Sequence, residues 1–261
     1  MVAVAHGSTD PRAGAAIADL MTLARARAAA HGLPELDARA AFLGHAPPSV
    51  TQVLAGLADR SGPVVVLPLL LTAAYHSGTD IPGALRAAQA AFPPLKIAYG
   101  EPLGPHPALR GALERRLAEA GQDEQAGSTA VVLAAAGSSQ PAANAAVARM
   151  AADWQAAGGW RAVVPAYASA AFPTPAQAVA ALLRGGARRV VVASYLLAPG
   201  RFADRIRDAS LAAGAAAVSR PLGAAPEVAD LLLQRYAQAR AAAPSRPAAP
   251  GADAGLRATL G

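Results

Sequence analysis

Cysteine is absent from this 261-residue chain. That excludes disulfides, thiolate metal sites, iron–sulfur clusters and cysteine nucleophiles. Aromatic residues are only 4% of the sequence, so a core must be assembled from Ala, Val and Leu. Lysine is almost missing: Lys96 is the single one among 23 basic residues. No stretch of about 18 residues is apolar throughout and free of charge and proline, so no transmembrane helix is expected. His6 and Asp10 interrupt the N-terminal apolar run too early for a signal peptide. Neither G-x-G-x-x-G nor a Gly-Lys-Ser/Thr phosphate loop occurs, which argues against a nucleotide site. Basic clusters interleaved with aromatics are lacking as well, so nucleic acid is not an expected partner. The expectation is a cytoplasmic protein without membrane attachment.

What is present is apolar and arginine-rich. The length allows one large domain or two ordinary ones, and hydrophobic residues make up 54% of the chain, enough for a sizeable core. The net charge is +6. The Arg and Ala bias has two readings, a GC-rich coding sequence or an anionic partner that the excess of guanidinium attracts.

Short β-branched runs alternate with longer Ala/Leu/Arg stretches. The pattern predicts strands at 2–5, 38–43, 63–70, 95–99, 130–135, 161–167, 189–196 and 215–219. Helical spacing predicts helices at 13–30, 49–59, 106–120, 142–156, 174–184 and 226–243. Strands alternating with helices imply parallel sheet covered on both faces. The runs VVVLPLLL and RRVVVASYLL are nearly all apolar, as expected of strands buried on both sides. The polar stretch GQDEQAGST, 121–129, reads as a linker. The last segment, 244–261, rich in Pro, Ala and Gly, reads as a disordered tail.

The two halves repeat. VAVAHGSTDPRAGAAIADL aligns without gaps to VLAAAGSSQPAANAAVARM, so Gly7, Ser8 and Pro11 match Gly137, Ser138 and Pro141. Pro48 and Ser49 match Pro173 and Thr174, PVVVLPLLL parallels RVVVASYLL, and Pro102-Leu103-Gly104 matches Pro221-Leu222-Gly223. The expected fold is therefore α/β with two similar, flavodoxin-like lobes, each a parallel sheet of about four strands flanked by helices. The expected boundaries are 1–122 for the first lobe and 129–243 for the second.

Residues shared by the copies are scaffold; residues in one copy are candidates for chemistry. His6 faces Ala136, His45 faces Ala170, His106 faces Ala225, and His76 falls near Phe202. His6 and His76 follow the carboxyl ends of predicted strands, the edge where open parallel sheets bind ligands. Neutral imidazole holds borderline divalent metals and accepts protons near neutral pH. His45 lies on the same edge. Two other histidines have plainer readings, His31 as a helix C-cap before Gly32 and His106 as a structural residue at a helix start. Ser8 recurs as Ser138 without a histidine, and no G-x-S-x-G elbow is present, so a serine hydrolase is disfavoured.

Three blocks in order, AHGSTDPRA, AFLGHAPPSV and PLLLTAAYHSGTDIPGAL, resemble the sirohydrochlorin chelatase family in its long, two-lobed form. The resemblance covers most of residues 1–120, and the repeat extends it to about residue 240. It implies a chelatase-like fold and an ATP-independent enzyme, a lyase acting without a partner subunit. Such an enzyme inserts Fe²⁺ or Co²⁺ into sirohydrochlorin, on the way to sirohaem or cobalamin. It also implies metal-site and catalytic roles for His6 and His76. Beyond the divalent metal substrate no cofactor is implied, and the two-lobed chain could build its cleft as a monomer. Family members often carry an acid after the Phe-Leu pair; here Gly44 stands there, followed by His45, and Pro47 occupies another acid-rich position. Either His45 serves as a ligand in its place or the site uses two protein ligands and water. The polycarboxylate substrate calls for guanidinium partners, for which Arg12, Arg201 and Arg205 are candidates, Arg207 being a weaker one. Gly7, Ser8 and Gly137 are candidate donors at the cleft. Chelation of another metal such as Ni²⁺ or of another tetrapyrrole, and non-catalytic binding of either, remain alternatives.

Overall fold

The computed structural model describes residues 1–60, 62–72, 80–121 and 127–243. His76, the tail and part of the expected linker lie outside the described residues. The first repeat runs β1 (Val2–Ala5), α1 (Pro11–Ala28), β2 (Arg39–Phe42), α2 (Val50–Ala55), β3 (Val64–Pro68), α3 (Asp80–Ala91), β4 (Ile97–Tyr99) and α4 (Ala108–Glu119). The second runs β5 (Thr129–Ala135), α5 (Pro141–Ala156), β6 (Ala162–Tyr167), α6 (Pro175–Arg184), β7 (Arg189–Tyr195), α7 (Arg201–Ala212), β8 (Ala217–Val218) and α8 (Pro226–Ala242). Two parallel four-stranded sheets result, ordered β2-β1-β3-β4 and β6-β5-β7-β8. The eight expected strands are all present, and α3 and α7 are added to the six helices predicted above. Helix α3 carries Pro82 and Gly83 in its first turn, a turn-like signature that a helix tolerates only at its start.

Local chemistry repeats along with the topology. Ser49 and Thr174 each accept a hydrogen bond from the N–H three residues on, and Gln52 and Gln177 Oε1 accept one from the N–H of the cap residue, so α2 and α6 begin with the same capping box. Pro11, Pro141, Pro175 and Pro226 each open a helix, where the missing N–H costs nothing.

Side chains on successive strand positions point to opposite faces, and here the two faces go to different cores. Ala3, Ala5, Val65 and Leu67 of one sheet join Val131, Leu133, Val191 and Ala193 of the other in one shared cluster. Val2, Val4, Val64 and Val66 face outward onto α2 and α3, and Val132, Val190 and Val192 onto α6 and α7. Helices α1, α4, α5 and α8 fill the space between the sheets. Two of them, α4 and α8, do not keep to their own repeat. Helix α4 packs on β7, while α8 packs on β3, β4 and α1. Each repeat thus lends its last helix to the other.

Polar ties follow the same crossing. Arg116, buried in α4, donates from Nε and Nη2 to the carbonyl of Leu222 and from Nη1 to Glu119. Arg115 pairs with Glu227 at 2.7 Å and Arg27 with Asp230 at 2.6 Å. His31 sits in a 3₁₀ turn ahead of left-handed Gly32 (φ 71°), and its Nε2 lies 2.9 Å from the same Asp230. The Arg27 guanidinium, with His31 adding less, holds the Asp230 carboxyl below the usual carboxylate range. A lowered folded-state pKa stabilises the fold above the unfolded value, about 3.9, and that stabilisation is lost as pH falls through the folded value. Asp230→Asn should therefore unfold at lower urea than the parent at pH 7. Its deficit should shrink below about pH 4. Urea midpoints measured across a pH series check this; a deficit unchanged in acid would contradict it.

Candidate functional site

In the strand order 2-1-3-4 the chain leaves β1 on one side and returns at β3 on the other. The crevice outside the carboxyl ends of these strands is where open α/β sheets bind ligands. His6 is the residue immediately after β1. Pairing with the β2 side continues past the strand: Leu43 N–H donates to Ala5 O at 3.1 Å and Gly44 N–H to His6 O at 3.2 Å. Gly7 then turns with φ 91°, and a Cβ built there would collide with the carbonyl oxygen of Gly44. A side chain at position 7 would push apart the strand ends that carry His6 and His45.

The second repeat has the same turn. Ala168 and Ser169 N–H groups donate to Ala135 and Ala136 O, Gly137 has φ 84°, and its Cβ would strike Ser169 O. His45 and Ala170 are the two non-glycine residues at positive φ among those described, 62° and 57°. The left-handed bend is therefore scaffold, and the imidazole at its apex is the addition. Ser8 and Ser138 also match: each hydroxyl accepts from the N–H two residues on, at 3.1 Å.

His6 and His45 meet at the mouth of β1 and β2, their ring centroids 6.2 Å apart and inclined at 65°. Imidazole binds a first-row ion at about 2.0–2.1 Å, so one ion shared at a tetrahedral angle would hold two ring centroids roughly 5 Å apart. The observed spacing is about 1 Å wider than that, a gap that a small movement of these exposed rings closes. Both rings are exposed to a cleft of about 610 Å³ between the lobes. One wall is Ala5 to Thr9 with Ile17 and Phe42; the other comes from the second lobe, Leu196 to Ala203. A second chamber of about 280 Å³ opens on the far side of His6, against Ala136, Gly137, Ser138 and Asn144. The two chambers share His6, Leu69, Leu70, Leu196 and Leu197. They are the pseudo-equivalent halves of one crevice, the larger carrying both histidines.

The candidate residues divide accordingly. His6, His45, Gly7, Ser8 and Arg201 line the larger chamber and Gly137 the smaller. Arg12 is on the rim but engaged, its guanidinium 2.6 Å from both Asp10 and Asp204. The bond to Asp204 ties α1 to α7 across the lobes. Arg205 stands over the Phe202 ring, 5.8 Å from its centroid. Arg207 pairs with Asp204 and Asp208. His76 lies outside the described residues. His106 is elsewhere: its Nδ1 accepts from the Ala108 N–H at the start of α4. Burial foremost, then Arg235, lowers its pKa, which favours the neutral ring that this bond requires. Size alone does not mark the site. A more open hollow of about 750 Å³ between α4 and α8 is lined by the paired ions Glu227 and Asp230.

Sequence reading did not identify the apolar walls, Phe42, Leu69, Leu70 and Leu196. Nor did it identify Tyr195, whose hydroxyl crosses to the carbonyl of Leu71 at 2.7 Å. Burial pushes that phenol far above its usual pKa, so it stays a donor. Among the described residues no group of three or more His, Asp or Glu surrounds a common point, and no helix is long and apolar enough to cross a membrane.

Fold and site together define a two-lobed α/β protein with an imidazole pair at the mouth of an interlobe crevice, the architecture of a chelatase. The CbiX family model matches residues 1–120 and 130–239, and the chain belongs to that family, the sirohydrochlorin chelatases. The sirohydrochlorin cobaltochelatase of Priestia megaterium is 29% identical over 170 residues, 64% of this chain and 56% of that protein. The sirohydrochlorin ferrochelatase of the same organism is 28% identical over 168 residues, 64% of this chain and 63% of that protein. The matches thus span less than two thirds of either relative. The structure of SirB from Bacillus subtilis with Fe3+ superposes with a TM-score of 0.78, covering 92% of this chain and 94% of that one at 24% identity.

Proposed function

We propose that the chain is an ATP-independent chelatase that inserts Fe²⁺ or Co²⁺ into sirohydrochlorin. The observation that carries this reading is the His6–His45 pair, 6.2 Å apart, opening into a mainly apolar crevice. The crevice is large enough to admit a flat ligand and is bounded by both lobes. The names of the two Priestia relatives agree with it.

Insertion removes two pyrrole protons and exchanges the metal's water ligands for four ring nitrogens. Neutral imidazole suits the first-row divalent ions. A pair of imidazoles without thiolate is a weak enough holder to surrender its ion. His6 and His45 hold the incoming metal on one face of the macrocycle. His76 is assigned as a further ligand from the motif resemblance alone. Each of the two imidazoles, once relieved of the metal, then accepts one of the two pyrrole protons. Arg201 on the opposite wall, with Arg205 behind it, offers planar two-point donors to the substrate carboxylates. Arg12, already bound by two aspartates, acts mainly by tying the rim together. The chain works as two lobes, 1–122 and 129–243, that build one crevice within a monomer.

The test is anaerobic. Sirohydrochlorin is mixed with catalytic protein, and its absorbance is followed on adding Fe²⁺, Co²⁺ or Ni²⁺ against the uncatalysed rate. Many turnovers with iron or cobalt are expected. A spectral change that stops at one equivalent would identify a binding protein instead. A preference for nickel would reassign the metal. No response from folded protein would reject sirohydrochlorin as the substrate.

A further inference from the structure

Phe202 is the residue that the repeat sets opposite His76, and the structure places it in the crevice wall facing the histidine lobe. Four large apolar side chains are exposed among those described, Tyr99, Phe172, Phe202 and Leu211. Of these, Phe202 alone lines the crevice, with 42% of its surface open. An exposed phenyl ring at the start of a charged helix has no packing reason to be there. Its neighbours supply a reason of another kind. Arg201 precedes it and also lines the crevice, and the Arg205 guanidinium lies 5.8 Å from the ring centroid. A cation at that distance is attracted to the ring and restrains it. Helix α7 thus presents a phenyl ring in the crevice wall, with the Arg205 guanidinium over it and Arg201 beside it. That is the complement of a planar conjugated ring system with carboxylates around its rim.

We infer that Phe202 is the stacking wall for the tetrapyrrole: it covers the face of the macrocycle turned away from His6 and His45 while Arg201 and Arg205 take the carboxylates at its edge. The second lobe then supplies recognition where the first supplies metal chemistry, and the His-to-Phe difference between the repeats is the division of labour. The inference rests on the chelatase reading, so its test must separate the two.

The test uses the full-length protein, sirohydrochlorin and Co²⁺ under anaerobic conditions, with Phe202→Ala, Phe202→Leu and Phe202→Tyr. Aromatic stacking against a flat conjugated ligand makes the expected rise in KM for sirohydrochlorin about tenfold in Phe202→Ala. Phe202→Leu, equally apolar but not flat, should show most of that rise, and Phe202→Tyr should restore the parent value. The KM for Co²⁺ and kcat should stay within about twofold of the parent, because the ring touches neither the ion nor the protons in transit. Phe202 keeps 42% of its surface open, so the melting temperature should fall by no more than about 4 °C. Unchanged sirohydrochlorin KM in Phe202→Ala would overturn the inference, and so would a Leu variant as good as the parent. Parallel losses in kcat and cobalt KM would overturn it too, by showing a merely structural role. Failure of the parent protein itself to turn over sirohydrochlorin would instead strike the chelatase reading.

Discussion

Replacing His6 by alanine is expected to lower metal insertion by at least about 100-fold, the scale set by loss of a positioned ligand and proton acceptor, while the fold survives. The ring is exposed, and the backbone around it is held by the Gly44 N–H to His6 O bond, which alanine retains. His6 also borders both chambers, the one imidazole among the described residues that does so. His76→Ala is expected to be comparably damaging. His45→Ala should cost less, about tenfold, because it removes the partner and leaves the central ring. Ala136→His should add little activity and should not rescue His6→Ala: the residue matching His45 in that lobe is Ala170, so a histidine at 136 gains no partner. Initial rates with Co²⁺ and sirohydrochlorin check all four. Full activity in both His6→Ala and His76→Ala would remove the metal assignment altogether.

Much of the site was legible because the chain contains its own comparison. The matches of Gly7 to Gly137 and of His45 to Ala170 are matches of backbone conformation, with positive φ at all four positions. The capping residues Ser49 and Thr174 follow the same logic. Such features are local, and local geometry is written in local residue choice. The arrangement of the helices was not legible. The apolar stripes of α4 and α8 state that these helices are buried but not beneath which sheet. Their exchange depends on contacts such as Arg116 to Leu222 O, 106 residues apart. Arg12 illustrates the same limit at the rim. The sequence offers it as a candidate partner for substrate carboxylates; Asp204, 192 residues away, engages it. Phe202 was visible as the counterpart of His76, yet its meaning needed the second wall of the crevice to be in place.

The exchange of helices has a functional consequence. The crevice is built from the carboxyl ends of strands in both sheets, so its width is set by how the lobes are joined. A central layer shared by both sheets and ion pairs at Arg12, Arg27 and Arg115 join them on several sides. In the proposed reaction, ligands placed on a stiff frame would keep their spacing while the metal is passed on.

The largest stability effect is expected at Gly7. Alanine there must adopt φ near 91° and must displace the Gly44 carbonyl, a combination of left-handed strain and overpacking that costs about 3–5 kcal/mol. For a chain of this size that is a fall in Tm of about 10 °C. Gly137→Ala meets the Ser169 carbonyl at φ 84° and should destabilise to a similar degree. Gly14→Ala is the internal contrast: it lies inside α1 with open space where its Cβ would be, so it should gain about 0.5–1 kcal/mol. Thermal melts of the three variants distinguish backbone geometry from the general helix preference for alanine. Activity separates the first two. Relieving the clash at Gly7 moves Gly44, and with it His45, away from His6, so the residual folded enzyme should insert metal more slowly at saturating substrate. At Gly137 the displaced carbonyl precedes Ala170, which carries no ligand, so the rate per folded molecule should fall less than in Gly7→Ala. Equal losses per folded molecule in the two variants would show that the second turn shapes the reacting site as directly as the first, and the asymmetry assigned to the two lobes would have to be abandoned.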